Sequence, residues 1–459
     1  MLRLGPILLL FASLACSPAG GTQPPTHVFL ITIDTLRADH LGSSGYARAT
    51  SPHLDAFAAS AWRFPDAVTP VPKTGPSVTT LLSGHHPNEH GVDSNPVGIP
   101  EALPMLAERM GRAGYRTGAF VSNPVLTAAK GYDRGFETFV LEPGTDGVER
   151  VNDAFFAWSK QAGDERPTFA WIHYMDPHGP YTPKPPFAGR FDDDAIARAE
   201  TRHLPLAYRP LDNYPSAYVL GAVPDYQRIG DEDRVARYVA AYDAEIAYTD
   251  AAFGALLDGL RERGWLDASA LIVTADHGES LGGHDYWFEH GWFAFDDVLR
   301  VPLFVRAPAS TPGRVIRGAV SSLDVAPTVL GLAKAPVDPP LPGRDLLATT
   351  PPADEAVVVI NSATYPDRFI GLRSPQWKYL RRLRLLGPPV APRGDEELYD
   401  LRADPDELHD LAAAQPERVA ALRAELDRQL AAFAPRMPPR AATVDPELRS
   451  RLRALGYVE

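Results

Sequence analysis

The chain has 459 residues, which is enough for one large domain and a smaller one. Its formal net charge of −13 argues against a nucleic-acid-binding surface, and its single cysteine excludes a disulfide framework and a thiolate metal cluster. The 46 prolines favour many shaped loops over a helical bundle. With 45% hydrophobic and 22% charged residues, the composition is that of an ordinary globular protein.

Residues 1–16 have the features of a signal peptide. Arg3 precedes a short apolar run at 7–11, which is too short to span a bilayer, and small residues follow. Cys16 ends a segment that resembles a bacterial lipoprotein cleavage site, although a plain secretory peptide with an incidental cysteine is the alternative. Residues 17–26 then form a flexible linker. We expect an exported protein of the cell envelope (periplasm or outer membrane), attached to a membrane only through a lipid at Cys16.

From residue 27 onward, predicted strands alternate with predicted helices. The strands are predicted at 27–33, 115–121, 168–175, 269–275 and 301–306. The helices are predicted at 53–61, 101–113, 149–162, 234–263 and 323–332. This alternation predicts an α/β fold, in which helices flank a mostly parallel sheet, over a large domain at 27–350. Residues 185–233 show no clear period and are interpreted as a long loop insertion near a substrate.

A smaller C-terminal α+β domain is predicted at 351–459. Its short antiparallel strands are predicted at 357–363, 369–374 and 377–383, and its helix at 415–433. Lys378 is interpreted as a solubility charge at a sheet edge.

Residues 70–84, PVPKTGPSVTTLLSG, have the pattern of an active-site turn. Pro76 suits a first helical position, and Gly84 suits the end of the helix. Thr74 is thus predicted just before a helix N-terminus, where free N–H groups favour anions. The alternative interpretation is an ordinary threonine N-cap.

Carboxylate and imidazole side chains follow two of the predicted strands. Asp34 comes directly after 27–33, and Asp276 and His277 come directly after 269–275. Ligands bind outside the carboxyl ends of strands in open α/β sheets. Two carboxylates and an imidazole suit a divalent cation, whereas a single Asp-His pair alone would more often be an ordinary turn.

Taken together, the segments 27–42, 70–84 and 271–291 resemble the sulfatase branch of the alkaline phosphatase superfamily. The nucleophile motif of that family reads Cys/Ser-x-Pro-Ser-Arg and continues into a helix with Leu-(Thr/Ser)-Gly. The matching residues here are Pro76, Ser77, Leu82, Ser83 and Gly84. Thr74 therefore stands in the nucleophile position and Val78 in the arginine position. The resemblance extends almost to the C-terminus, through a family signature at 397–412.

The resemblance implies that Asp34, Asp276 and His277 hold one divalent metal cation, with the oxygen of Thr74 completing the site. The sulfatase pattern has a second aspartate where this chain has Thr35. Of the cations considered, Mn²⁺ or Zn²⁺ is therefore expected to suit the site better than Ca²⁺.

Two further histidines are candidates for catalysis. The segment 173–183 matches the family's Asp-Pro-His-x-Pro-Tyr loop, which implies that His178 contacts the substrate or protonates the leaving oxygen. His290 falls about where the family places a lysine or histidine on the transferring group. Capped loop histidines are the alternative for both, and Asp176 is interpreted as a structural turn residue.

Thr74 also bears on the mechanism. True sulfatases convert a cysteine or serine to an aldehyde, but threonine carries a methyl group on Cβ, so no formylglycine is expected. A threonine oxygen can instead form a covalent intermediate, as in superfamily relatives that act on phosphate esters. Lys73 could partly replace the charge missing at Val78.

Three hypotheses follow. The first, which we favour, is a metal-dependent hydrolase or transferase of sulfate- or phosphate-type esters that works through a covalent intermediate on Thr74. The second is a strict sulfatase without formylglycine, and the third is a catalytically silent envelope binding protein. The expected substrate is a small-molecule, lipid-headgroup or glycan ester.

Overall fold

The structure is a computed structural model that describes residues 25–142, 147–160, 165–206, 220–308, 313–364, 368–384 and 394–441. The predicted signal peptide, with Cys16, and nearly all of the predicted linker lie outside these residues. Within the described ranges, no helix combines the length and the apolar character that crossing a membrane requires.

The strands of the described residues are short, and most occur in the first 310 positions. In chain order they are β1 (His27–Ile33), β2 (Trp62–Arg63), β3 (Ala67–Val68), β4 (Arg116–Val121), β5 (Thr138–Leu141), β6 (Thr168–Tyr174), β7 (Ser269–Ala275), β8 (Ser280–Leu281), β9 (Trp287–Glu289), β10 (Leu303–Arg306), β11 (Val320–Ser321), β12 (Val357–Ile360), β13 (Arg368–Arg373), β14 (Trp377–Arg384) and β15 (Glu396–Asp400).

Seven of these strands form the central sheet in the order β2–β10–β7–β1–β6–β4–β5. The five strands from β7 to β5 run parallel, which confirms the mostly parallel α/β fold. All residues of β1, β6 and β7 are buried, as expected for central strands covered on both faces.

The edge of the sheet differs from the prediction. Strand β10 pairs antiparallel with β7, and β2 pairs antiparallel with β10. The predicted strand 301–306 begins only at Leu303, since Pro302 has no N–H to donate to a sheet ladder. The short edge strand β5 was missed because its four half-buried residues form too brief a pattern.

The α-helices of the described residues cover both faces of the sheet. They are α1 (Pro52–Ser60), α2 (Thr74–Ser83), α3 (Pro87–His90), α4 (Leu106–Arg112), α5 (Gly147–Ser159), α6 (Ala195–Ala199), α7 (Val235–Glu262), α8 (Asp296–Leu299), α9 (Val325–Leu332) and α10 (Pro416–Ala432). The predicted helix 101–113 forms only as α4, because Pro104 disfavours helical geometry at the residue before it. The described part of the predicted loop 185–233 contains α6 as its one α-helix.

The C-terminal strands form a four-stranded antiparallel sheet in the order β12–β13–β14–β15. Helix α10 packs on it through Val419 and Leu426, which contact the apolar cluster of Leu372 and Tyr379. The prediction of a small antiparallel domain with a C-terminal helix is therefore confirmed. Strand β15 was missed, because its residues were interpreted only as part of the family signature.

The interpretation of Lys378 as an edge charge is wrong. Strand β14 lies between β13 and β15, and the Lys378 side chain is fully buried. Its Nζ lies 2.6 Å from Asp296 Oδ1 and 2.8 Å from Glu407 Oε1. Asp296 begins α8 of the large domain, so this buried ion pair joins the C-terminal sheet to the large domain.

Replacing Lys378 by methionine should therefore destabilise the protein strongly. The substitution leaves the carboxylates of Asp296 and Glu407 buried with less positive charge nearby, and breaking such a buried pair costs about 3–5 kcal/mol. The free energy of unfolding, measured by urea titration, should fall by about this amount. The matched substitution of the exposed Lys160 should leave it nearly unchanged, and an equal effect of the two substitutions would contradict the assignment.

Candidate active site

The register of three central strands brings the candidate metal ligands together. Ile33, the last residue of β1, lies opposite Tyr174 of β6 and Ala275 of β7. Asp34 and Asp276, which directly follow β1 and β7, therefore emerge at the same level of the sheet. Single ligand atoms of Asp34, Asp276 and His277 lie within 4.8 Å of one another, and all three side chains are fully buried.

Helix α2 brings Thr74 to the same place, but the predicted position of Thr74 is off by one residue. The helix begins at Thr74 and not at Pro76, because the N–H of Ser77 donates to the carbonyl of Lys73 (2.9 Å). Lys73 is therefore the N-cap residue, so the interpretation of Thr74 as an N-cap is also wrong. Gly84 ends the helix in the left-handed region (φ 73°), as predicted.

The N-terminus of α2 has few backbone N–H groups left to bind an anion. The N–H of Gly75 donates to Asn95 Oδ1 (2.8 Å), and Pro76 has no N–H. Of the first three helical residues, at most Thr74 therefore keeps an N–H for a bound anion. Positive charge at this site must come mainly from side chains or from a metal ion.

The donor atoms around His277 Nε2 fit a divalent cation. The Nδ1 of His277 lies 2.8 Å from the carbonyl of Gly278, so this nitrogen carries the proton and Nε2 keeps its lone pair. Asp34 Oδ1 lies 3.8 Å and Asp276 Oδ2 3.5 Å from this Nε2. Neither oxygen has a hydrogen-bond partner among the described residues, although both are buried. Thr74 Oγ1 lies 3.4 Å from the same Nε2.

The electrostatics of the metal-free cluster also favour a cation. Burial raises the pKa of Asp34 to about 7. Burial and the charge of Asp34 together raise the pKa of Asp276 well above its usual value. Burial lowers the pKa of His277, which stays neutral and able to act as a ligand. A bound divalent cation would offset the repulsion between the two carboxylates.

Two residues that position Asp34 were missed by the sequence analysis. Asn123, which follows β4, donates from Nδ2 to Asp34 Oδ2. His173 on β6 places Nε2 3.4 Å from the same oxygen, and its Nδ1 bonds to Thr32 Oγ1 (2.7 Å). Both lie at the carboxyl ends of strands that were themselves predicted. Polar residues at these strand ends were thus an available signal.

The structure brings His178 and His290 together beside the candidate metal ligands. The ring centroid of His290 lies 4.3 Å from that of His277 and 5.2 Å from that of His178. His178 Nδ1 donates to the carbonyl of Gly179 (2.7 Å), and burial lowers the pKa of His178 to about 3. This imidazole is therefore neutral and keeps an acceptor lone pair on Nε2. His178 is thus capped within its own loop, as the alternative interpretation expected, whereas the ring of His290 lies beside both His277 and His178.

Glu279 is a further buried group that the sequence analysis did not single out. Its Oε1 lies 3.1 Å from His290 Nδ1. Burial and the charge of Glu289 raise the pKa of Glu279 well above its usual value. Burial and the charge of Lys73 lower the pKa of His290. Both shifts favour the neutral form. In a hydrogen bond between a neutral Glu279 and a neutral His290, the carboxyl group donates to Nδ1 and the imidazole keeps its proton on Nε2.

The two departures from the family motif have clear structural consequences. Thr35 adopts a left-handed backbone (φ 52°), and its N–H donates to Asp276 Oδ1 (3.2 Å). Val78 is fully buried in the apolar core. Thr35 thus contributes a backbone N–H where the family pattern has a carboxylate, and Val78 contributes no charge. Asp176 is also buried, and its carbonyl accepts a hydrogen bond from Thr249 Oγ1 (3.1 Å).

The central sheet carries two carboxylates and an imidazole at its strand ends, and helix α2 adds the hydroxyl of Thr74. These features make the chain an α/β protein with a candidate divalent-cation site. The family model described as Sulfatase matches residues 26–335, and the chain belongs to this family. The resemblance inferred from the sequence motifs is therefore confirmed.

Known relatives and solved structures agree with this membership. The chain is 26% identical to a choline-sulfatase of Rhizobium meliloti over 442 residues, which covers 85% of this chain and 83% of the relative. The structure is similar to a phosphonate monoester hydrolase of Agrobacterium radiobacter, with a TM-score of 0.71, 23% identity and coverage of 89% and 96% of the two chains. A structure solved with its substrate D-glucosamine-2-N,6-O-disulfate also has a TM-score of 0.71, at 19% identity and 90% and 99% coverage.

Replacing Asp276 by asparagine should remove bound metal while the fold persists. The loss of one of so few ligands leaves the others under-coordinated, and affinity should fall about a hundredfold or more, since even outer partners contribute tenfold to a hundredfold. Titration of the metal-free protein with Mn²⁺, followed by calorimetry, measures this loss. The same substitution at the buried Asp324, which accepts from the N–H groups of Ser321 and Arg344, is the control and should not change the affinity. Unchanged Mn²⁺ binding in Asp276→Asn would rule out Asp276 as a ligand.

Proposed function

We propose that the protein is a metal-dependent hydrolase, or transferase, of sulfate- or phosphate-type esters that works through a covalent intermediate on Thr74. One observation carries this proposal. The hydroxyl oxygen of Thr74, at the N-terminus of α2, lies 3.4 Å from His277 Nε2. One oxygen each of Asp34 and Asp276 lies within 4 Å of the same nitrogen, and neither has a hydrogen-bond partner among the described residues. Membership of the Sulfatase family supports a hydrolase that acts on sulfate esters.

Asp34, Asp276 and His277, with the oxygen of Thr74, would hold one divalent cation such as Mn²⁺, Zn²⁺ or Ca²⁺. When bound, such a cation supplies Lewis-acid stabilisation of the transferring group and lowers the pKa of a nearby hydroxyl. The orphaned carboxylate oxygens and the tautomer of His277 support this assignment.

In the proposed reaction, the oxygen of Thr74 forms a bond to the sulfur or phosphorus atom, and the bond from that atom to the leaving oxygen breaks. The hydroxyl proton of Thr74 passes to Nε2 of the neutral His178. The leaving oxygen takes the proton from Nε2 of His290, and Glu279 at the same time gives its own proton to Nδ1 of His290. Water then attacks the same atom and gives its proton to the His290–Glu279 pair. The bond to Thr74 breaks, its oxygen recovers the proton from His178, and sulfate or phosphate leaves.

The proposed assignment of His290 as the proton donor refines the expectation for His178. Because burial lowers the pKa of His178 to about 3, this ring is neutral at pH 7, and its Nε2 carries no proton to donate to a leaving oxygen. The proposal therefore gives the role of proton donor to His290 and uses Nε2 of His178 as the acceptor. His290 faces a buried carboxyl group that can replenish its proton. The two neighbouring rings thus support opposite roles.

The choice between sulfate and phosphate rests on two opposing observations. A threonine cannot form the aldehyde that true sulfatases use, which favours phosphate-type esters. The relatives include a choline-sulfatase and a structure bound to a sulfated glucosamine, which favours sulfate esters of small molecules or glycans. A phosphonate monoester hydrolase has the same fold. We therefore propose both ester types as substrates to be screened.

A silent binding protein is the second candidate function, and the replacements at Thr35 and Val78 favour it. The buried pairs formed by His277 with its neighbouring carboxylates and by His290 with Glu279 oppose it. Such groups are costly to bury in a protein that does not use them.

Replacing Thr74 by alanine should reduce turnover of nitrophenyl sulfate, phosphate, phosphodiester or phosphonate esters by about a thousandfold or more, because the covalent route is lost. Thr74→Ser should keep substantial activity, since a hydroxyl remains. Intact-mass measurement should find residue 74 as unmodified threonine and detect a trapped phosphate or sulfate adduct there.

Ser77 is the matched control, because it lies on the same helix and its Oγ donates to the carbonyl of Asp276 (2.6 Å). Ser77→Ala should keep the adduct at Thr74. Near-normal turnover in Thr74→Ala would show direct attack by water. Absence of turnover on every ester with metal bound would favour the silent binding protein.

We also propose that the protein is exported and anchored to the cell envelope through a lipid on Cys16. The signal-like composition of residues 1–16 supports this proposal. The wild-type protein should then partition into detergent in a phase-separation assay, and Cys16→Ser should remain in the aqueous phase. A wild-type product with a free Cys16, or lacking this residue, would exclude the anchor.

A further inference from the structure

We propose that Lys73 supplies the positive charge that binds the anionic transferring group, in the place of the arginine that the family motif would put at Val78. The proposal rests on the proposed function for the identity of the transferred group. It concerns the same site but a residue to which neither the family motif nor the comparisons assign a role.

Lys73 lies inside the candidate site. It is the N-cap residue of α2 and directly precedes Thr74, and only 3% of it is exposed. Burial lowers the pKa of Lys73, and the charges of four carboxylates oppose this shift, namely those of Glu289, Glu279, Asp34 and Asp276. Two of these carboxylates are candidate metal ligands and one bonds to His290. The charge of Lys73 thus acts both on the candidate metal ligands and on the carboxyl group that bonds to the proposed proton donor.

The same charge reaches the three site imidazoles. Lys73 opposes protonation of His178, His277 and His290, in each case after the larger effect of burial. Since all three pKa values are lowered, these histidines are neutral at pH 7. The charge of Lys73 therefore acts on each of these three imidazoles.

Three other groups near Thr74 supply little positive charge. Val78 is apolar and packs in the core, and burial lowers the pKa of His173 to about 4. The N–H of Gly75 is taken by Asn95, and Pro76 has none. Lys73, which directly precedes Thr74, is therefore the side chain that we assign to the stabilisation of an anion there.

A cation at this position has opposite effects on the two ligands of the site. It attracts an anionic sulfate or phosphate group, and it repels a divalent metal ion bound to Asp34 and Asp276. Removing the charge should therefore weaken anion binding and leave metal binding unchanged or tighter. A residue that only supports the fold would weaken both when it is removed.

The experiment compares Lys73→Met and Lys73→Gln with Lys73→Arg in the full chain. Calorimetry measures the affinity for Mn²⁺ and, in the Mn²⁺-loaded protein, the affinities for inorganic sulfate and phosphate. We expect both neutral variants to bind the better of these anions about tenfold to a hundredfold more weakly, because one charge contact is lost. Their affinity for Mn²⁺ should be equal to or higher than that of the wild type, and Lys73→Arg should keep most of the anion affinity.

Lys130→Met is the matched control for the loss of a buried lysine. The Nζ of Lys130 donates to the carbonyls of Asn95 (2.9 Å) and Val125 (3.1 Å). The Lys130→Met substitution should change neither the Mn²⁺ affinity nor the anion affinity. Thermal melts identify the folded variants. Unchanged anion affinity in either folded neutral variant would overturn the proposal, as would parallel losses of Mn²⁺ and anion affinity. A wild-type protein that binds neither anion would also overturn it.

These binding measurements need no turnover. Failure of the covalent mechanism at Thr74 therefore leaves the test of Lys73 intact. Conversely, normal anion binding in the Lys73 variants would leave the proposed hydrolysis standing.

Discussion

The close approach of two buried carboxylates, Asp34 and Asp276, is the constraint on which the site depends. Two unit charges about 4 Å apart repel each other by about 4 kcal/mol at an effective dielectric constant of 20. Backbone and side-chain donors relieve only part of this cost. Asn123 donates a hydrogen bond to one oxygen of Asp34, and the N–H groups of Thr35 and His277 both donate to the same oxygen of Asp276. The other oxygen of each carboxylate has no partner in the described part of the chain, and both lie within 4 Å of His277 Nε2.

The C-terminal sheet supports the site from outside. The N–H of Ile360, at the end of β12, donates to the carbonyl of Pro70 (2.8 Å) in the approach to Thr74. The N–H of Ser362 donates to the carbonyl of Gly291 (2.9 Å), directly after His290. The end of β12 and the residues after it thus hold the backbone of Pro70, near the candidate nucleophile, and of Gly291, next to the candidate proton donor. This coupling gives the smaller domain a physical role in positioning the site.

The sequence predicted the parts of this protein that repeat a local pattern. Buried apolar runs defined β1, β6 and β7, and long amphipathic runs defined α7, so the residues after the strands could be placed at one edge of the sheet. The prediction failed at the boundary of one helix and at the edge of the sheet. The start of α2 depends on one hydrogen bond from Ser77 to Lys73, and the direction of β10 depends on its pairing with β7.

The same distinction applies within the site. The candidate metal ligands stand in motifs, so they could be named from the sequence. Asn123 and His173 are single polar residues after or within apolar strands, and only the sheet order places them beside Asp34. Lys378 was misassigned because an isolated lysine in a strand gives no sign of the buried carboxylates that it meets.

The two departures from the family motif, at Thr35 and Val78, each remove one charged side chain, and the two charges have opposite sign. Thr35 removes a carboxylate from the pattern, and Val78 removes a guanidinium, so the net formal charge of the motif is unchanged. The lost carboxylate would have favoured the metal ion, and the lost guanidinium would have favoured the anion. Lys73 lies close enough to act on both Asp34 and Asp276, and a single buried cation there restores attraction for an anion without a second charged residue on α2. If Lys73 has the role proposed for it, the site departs from the motif at two positions and would still keep the charge separation that suits a cation and an anion side by side.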